Sequence, residues 1–195
     1  MWVKPVVLQG RYVRLEPLTA AHAPLWAKHH EPELFAYMSR GAPQAGDVAG
    51  YEEYIEYLND EPGRMNWAIR VGEDFAGRIS YVGITEAHRK LEIGTFIVRP
   101  YQGTFVNPES KYLMLRHAIE DLGAIRVQFT VDVRNERSQR AMEKLGAVRE
   151  GVLRKAAITP DGHIRDSVVY SITDDDWPRV KAGLEARLGY ELESR

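Results

Sequence analysis

The chain has 195 residues, 44% of them apolar and 28% charged, and carries a formal net charge of −2. That composition fits one ordinary to large soluble domain; the charge opposes a broad polyanion-binding surface but leaves room for a local basic patch. The absence of cysteine excludes disulfides, thiolate metal sites and a cysteine nucleophile. The opening "MWVKPVVLQGRYVRL" lacks the apolar core of a secretory signal, and no uncharged run is long enough to span a bilayer. A cytoplasmic protein is the expectation. With no repeat, low-complexity tract or linker, residues 1–195 read as one domain, with the tail "ELESR" frayed.

Taken in chain order, "RYVRLEPL" sets Tyr12, Val13 and Leu15 among charges and reads as a first strand. "TAAHAPLWAKHH" reads as helical with Thr19 as cap. A second helix, "GDVAGYEEYIEYLND", starts from Asp47 and places Tyr51, Tyr54, Ile55 and Leu58 on one face. "NWAIRVG", "AGRISYVGI" and "KLEIGTFIV" are rich in strand formers and predict an antiparallel meander. The segment "NPESKYLMLRHAIEDLG" predicts a helix capped by Asn107, with Pro108 at its first helical position and Gly123 as its C-terminal cap. Its buried stripe is Tyr112, Leu115, Ile119 and Leu122, flanked by Met114 and Ala118.

The strand "AIRVQFTVDV" then sets Ile125, Val127, Phe129, Val131 and Val133 on one face, and the helix "ERSQRAMEKL" is bounded by Asn135 and Gly146. "AVREGVLRKAAI" and "HIRDSVVYSI" flank the hairpin signal "TPDG", before a last helix around "DDDWPRVKAGLEARL". This order predicts a mixed α/β (α+β) sheet. In it, the strands on either side of the "PESKYLML" helix lie parallel and adjacent, joined by a right-handed crossover.

Residues 102–107, "QGTFVN", join a strand end to a helix start. Unpaired N–H groups and the positive end of the helix dipole hold phosphates at such places; the alternative is an ordinary connection capped by Asn107. Ser138 is spaced 3, 4 and 7 residues from Ala141, Met142 and Leu145, so it lies on the inward stripe. Its hydroxyl is either satisfied locally or turned toward something bound in a cleft. Glu92 shares a strand face with Gly94 and Phe96 and reads as a general base or as a solvated strand glutamate. The six histidines form no metal-like cluster and no Gly-x-Ser-x-Gly turn is present, so metal and serine-hydrolase readings are weak.

These pieces together resemble the GNAT superfamily of acyl-CoA-dependent N-acetyltransferases, most nearly its ribosomal-protein N-terminal alanine acetyltransferase branch. The resemblance runs from "GRYVRLEPLT" to "TDDDWPRV", and is most specific in "EIGTFIVRPYQGTFVN", "NERSQRAMEKLGAVREGVLR" and "GHIRDSVVYSI". It implies a mostly antiparallel twisted sheet of about seven strands with a splayed parallel central pair, flanked by helices. The family's pyrophosphate loop is Gln/Arg-x-x-Gly-x-Gly/Ala. Gln102 matches its first position, whereas Phe105 stands at the central glycine and Asn107 at the last Gly/Ala. Phe105 suits such a backbone cradle if its φ is negative, with Gly103 taking the unusual turn.

The acyl-CoA contacts implied are the strand edge Phe96, Ile97 and Val98, the loop Gln102, Gly103, Thr104, Phe105, Val106 and Asn107, and Asn135 with Ser138. Met142 occupies the position of the family's acidic tyrosine, so Ser138 becomes the candidate donor to the CoA sulfur, or an orienting group for the pantetheine. Glu92 is implied as the base. The activity implied is direct transfer of an acetyl group from acetyl-CoA to a primary amine, on a protein N-terminus or a small molecule. It involves no metal, nucleic acid or membrane, and the protein is compatible with a homodimer. A non-catalytic acyl-CoA-binding protein, and a transferase of a larger acyl group such as succinyl, are the alternatives. Tyr37, Met38 and Arg40 either line the acceptor pocket or are core and surface residues.

Overall fold

The alternating strands and the helical stripes assemble into one eight-stranded sheet, in a computed structural model that describes residues 2–38 and 40–190. The tail "ELESR" lies outside the described residues. The strands are β1 (Leu8–Gln9), β2 (Arg14–Pro17), β3 (Met65–Val71), β4 (Asp74–Thr85), β5 (Lys90–Ile97), β6 (Arg126–Asp132), β7 (Val148–Ile158) and β8 (Ile164–Thr173). Their order across the sheet is β1-β2-β3-β4-β5-β6-β8-β7. The strand beyond the expected seven is β1, two residues long and too short to show alternation. β3, β4 and β5 form the expected meander, and β5 and β6 are the parallel pair.

Five helices accompany them among the described residues: α1 (Ala23–Ala27), α2 (Val48–Asp60), α3 (Val106–Arg116), α4 (Glu136–Leu145) and α5 (Trp177–Leu188). The aromatic residues of α1 and α2, Trp26, Tyr51 and Tyr54, bury one face of the sheet around Phe75 and Phe96. Apolar residues of α3, α4 and α5 pack on the opposite face against Leu91, Ile93, Val127 and Phe129. Two apolar layers therefore clamp the middle of the sheet.

The ladder between β5 and β6 is short. It runs from Lys90↔Arg126 to Glu92↔Gln128 and stops there, although β5 continues to Ile97 and β6 to Asp132. Past that point β6 pairs only with β8. The two central strands thus splay, leaving a row of main-chain groups free to bind something other than a strand.

α3 starts at Val106, two residues before the predicted first position Pro108, and is not capped by Asn107. The Thr104 hydroxyl accepts the Val106 N–H at 3.2 Å, which sets the start of the helix ahead of the asparagine. At its other end α3 continues as a π turn, His117–Asp121, and Gly123 follows with φ +69°, as a helix stop requires.

Candidate active site

The splay opens into a cleft of about 600 Å³ that passes through the sheet. One side is walled by Glu33, Leu34, Tyr37 and Met38 from the segment between α1 and α2; the other side is lined by α3, α4 and α5. Thr95, Phe96 and Ile97 of β5 border the gap between these sides. The lining carries six basic side chains, Lys111, Arg134, Arg137, Arg140, Lys144 and Arg187, against two carboxylates, Glu33 and Glu136. A chain of net charge −2 therefore keeps a concentrated positive patch here, suited to an anionic ligand.

The loop 102–107 forms one rim. Gly103 has φ +78° and makes the turn that only glycine adopts freely. Phe105 has φ −66° and ψ −17°, an ordinary helical conformation, so a side chain there costs no backbone strain. Its ring turns out of the cleft onto Tyr12, with centroids 4.5 Å apart. The N–H groups of Gly103, Thr104, Phe105 and Asn107 have no acceptor among the described residues. These donors stand at the positive end of α3. The Gln102 side chain ties the loop in place: its amide donates to the Ile97 carbonyl at 2.8 Å and its oxygen accepts from Arg137 across the cleft.

The strand edge differs from the expectation in one respect. The Val98 N–H donates to the Ala76 carbonyl, and Gly77↔Ile97 and Arg78↔Phe96 are opposed pairs. By antiparallel alternation the main-chain groups of Phe96 and Val98 turn to β4, and those of Thr95 and Ile97 turn to the gap. The Val98 and Val106 side chains are buried in the core and do not line the cleft. Gln102, Gly103, Thr104, Asn107, Asn135, Ser138, Phe96 and Ile97 all border it.

Across the cleft, α4 is built as its sequence suggests. The Asn135 side chain accepts the Ser138 N–H at 3.1 Å, and Gly146 ends the helix with φ +85°. With its own oxygen occupied at the cap, Asn135 holds the helix start. Ser138 is half-buried on the cleft wall, and its hydroxyl has no partner among the described residues. Met142 lies one turn further on and is nearly fully buried.

Glu92 lies outside the cleft lining, at the point where the β5–β6 ladder closes. It is half-buried, and one of its oxygens accepts from the Gln128 amide at 3.0 Å. Of the three acceptor-side candidates, Tyr37 and Met38 border the cleft. Arg40 does not; its guanidinium stacks 4.8 Å over Tyr57. Behind Met38 sits Arg78, 3% exposed, donating to the Ser80 hydroxyl at 2.6 Å with no carboxylate partner among the described residues. Burial pulls its pKa down to about 10.

Sequence reasoning missed Lys111. Its Nζ donates to Asn107 Oδ1 at 2.8 Å and Thr95 Oγ1 at 3.1 Å and lies 5.9 Å from the centre of the Phe129 ring. A signal was present: Lys111 stands 3, 4 and 7 residues before Met114, Leu115 and Ala118, on the apolar side of α3. Among the described residues no group of three His, Asp or Glu could hold a metal ion, and no helix is long and apolar enough to cross a membrane.

Comparison with known proteins agrees with this geometry. A protein of T. thermophilus, provisionally assigned as an acetyltransferase, is 55% identical, with a TM-score of 0.91 over 96% of this chain and 100% of that one. RimJ of Mycobacterium smegmatis, solved in complex with CoA-disulfide, shares the fold at 20% identity, with a TM-score of 0.79 over 96% of this chain and 94% of that one. YdaF of Bacillus subtilis, provisionally assigned as a ribosomal N-acetyltransferase, is 30% identical over 105 residues. That alignment takes in 54% of this chain and just over half the length of YdaF, 57%. The sequence pattern of the acetyltransferase (GNAT) domain matches residues 13–148, well over half the chain. The chain belongs to the GNAT acetyltransferase family.

Proposed function

We propose that this protein transfers an acetyl group from acetyl-CoA directly to a primary amine of a protein N-terminus or a small molecule. The observation that carries the reading is the pairing of four free loop N–H groups at the α3 N-terminus with a basic cleft through the splayed sheet. The loop amides and Arg137 hold the pyrophosphate, and the gap-facing amides of Thr95 and Ile97 hold the pantetheine arm. The RimJ structure, with its CoA-disulfide, supports that use of the fold.

In this reading the donor supplies an activated thioester, and the protein supplies placement and proton handling. A gap-facing N–H of β5 polarises the thioester carbonyl. The Ser138 hydroxyl hydrogen-bonds the sulfur or the arm next to it. Glu92 takes the proton that an ammonium acceptor must lose, through an intervening water, since it stands outside the cleft wall. The acceptor enters from the Tyr37–Met38 side, opposite α3.

Calorimetric titration of the protein with acetyl-CoA and with CoA tests the reading. Binding at 1:1 with micromolar affinity, followed by turnover of a peptide N-terminus or a simple amine, is expected. Absence of binding at millimolar ligand would remove the transferase reading.

A further inference from the structure

A serine hydroxyl holds its proton far more tightly than a thiol does, so Ser138 can donate a hydrogen bond to a departing thiolate without being able to neutralise it. Efficient transfer needs a donor whose acidity is close to that of the thiol and to the working pH. The mechanism so far contains none, since Met142 carries no proton to give.

Lys111 is such a group, and nothing in the fold requires it to be charged. It borders the cleft, is 5% exposed, and has no carboxylate partner among the described residues. The groups its Nζ meets are uncharged: Thr95 of β5, the Phe129 ring of β6 and Asn107 of its own helix. The cleft's other charges are Arg134 in the turn before α4, Glu136, Arg137, Arg140 and Lys144 of α4, Arg187 of α5, and Glu33 of the segment between α1 and α2. Burial holds the pKa of Lys111 down at about 8, beside the ordinary range of a thiol. Its position is also specific. Thr95 and Ile97 are the gap-facing residues of the free β5 edge, and Thr95 is the one deeper in the splay. An arm whose phosphates rest on 102–107 brings its sulfur end inward, toward Thr95 and the ammonium bonded to it.

We propose that Lys111 is a catalytic residue that meets the sulfur of the acyl donor and protonates it as the thioester breaks. The inference rests on the acetyl-CoA reading above. The acceptor nitrogen bonds to the carbonyl carbon, the C–S bond breaks, and its electron pair stays on sulfur. A proton moves from Nζ to that sulfur, giving the free thiol and a neutral amine, which regains its proton from water. The proton lost by the acceptor leaves separately through Glu92. Activity then falls as pH rises through about 8, because Lys111 loses the proton it must give.

The test is ionisation of the thiol of CoA bound to the intact protein, followed by the ultraviolet absorbance of the thiolate across pH. In the wild type the bound thiol should ionise about one pH unit or more below free CoA, because the ammonium favours the thiolate. Lys111→Met should abolish the shift and lower kcat by roughly 10²-fold or more, with the high-pH limb lost. Lys111→Arg should keep the shift, having charge, yet fail to restore kcat, having no proton to release. Lys111→Gln replaces Lys111→Met if a thermal melt shows that variant unfolded. CoA binding with a thiol titration indifferent to loss of the lysine would overturn this assignment alone. No CoA binding by the wild type would overturn it together with the reading on which it rests.

Discussion

At the scale of single residues, the loop shows why identity and conformation must be read separately. Phe105 occupies the central glycine position of the family's loop pattern, yet its φ is −66° and its ring packs on Tyr12. The residue whose backbone needs glycine is Gly103, at φ +78°. The two positions should therefore respond in opposite ways. Phe105→Gly restores the family pattern but should leave CoA affinity within about twofold, while lowering stability by about 1 kcal/mol through lost packing and added chain entropy. Gly103→Ala adds a side chain that meets no steric obstacle, so its effect is conformational. It should cost roughly 1–2 kcal/mol of strain and weaken CoA binding by misaiming the loop amides. Calorimetry and thermal melts of both variants check this. Tighter CoA binding by Phe105→Gly would show that the ring obstructs the cradle.

At the scale of elements, α3 is held by a contact that its own sequence conceals. Glu109, in its first turn, is fully buried and accepts the N–H groups of Arg11, Tyr12 and Val13 at 2.8, 2.9 and 2.6 Å. The Tyr190 hydroxyl also donates to it, and burial together with this carboxylate raises the tyrosine pKa. One carboxylate thus ties the helix start to the turn before β2 and to the chain after α5. Glu109→Ala leaves three buried donors without a charged acceptor and should cost on the order of 3 kcal/mol or more, read as a fall in the denaturation midpoint. Loss under about 1 kcal/mol would mean that solvent reaches these groups.

The same helix marks how far the sequence was legible. The meander and the Asn135 and Gly146 boundaries of α4 follow from strand-forming runs and capping, which act over a few residues, and the parallel pair follows from the strand–helix–strand order. The role of Glu109 was not legible because its N–H donors lie 96 to 98 residues away in the chain, and that of Lys111 because Thr95 and Phe129 belong to other elements. The start of α3 was misplaced for a related reason. Asn107 is a good cap in isolation, but Lys111 claims its side chain, and the helix begins ahead of it, where the Thr104 hydroxyl accepts the Val106 N–H.

At the scale of the whole molecule, the sheet is a partition with an opening in it. In the proposed reaction donor and acceptor reach the opening from opposite sides, which would keep the thioester buried until an amine arrives. Glu92 stands where the β5–β6 ladder closes, on the face it shares with Phe96 and therefore with the α1–α2 layer. That is the side proposed for the acceptor, and Gln128 of the neighbouring strand holds the carboxylate there. Glu92→Gln keeps the shape and a hydrogen-bonding partner for Gln128 but cannot take a proton. If it is the base, the variant should bind CoA as the wild type does, lose about 10²-fold in kcat, and lose the low-pH limb of its rate profile. An acceptor of low amine pKa, already neutral at the working pH, should be much less affected by the substitution because little deprotonation remains to be done. An unchanged pH profile would instead make Glu92 a strut that closes the splay, and would leave water to collect the acceptor's proton.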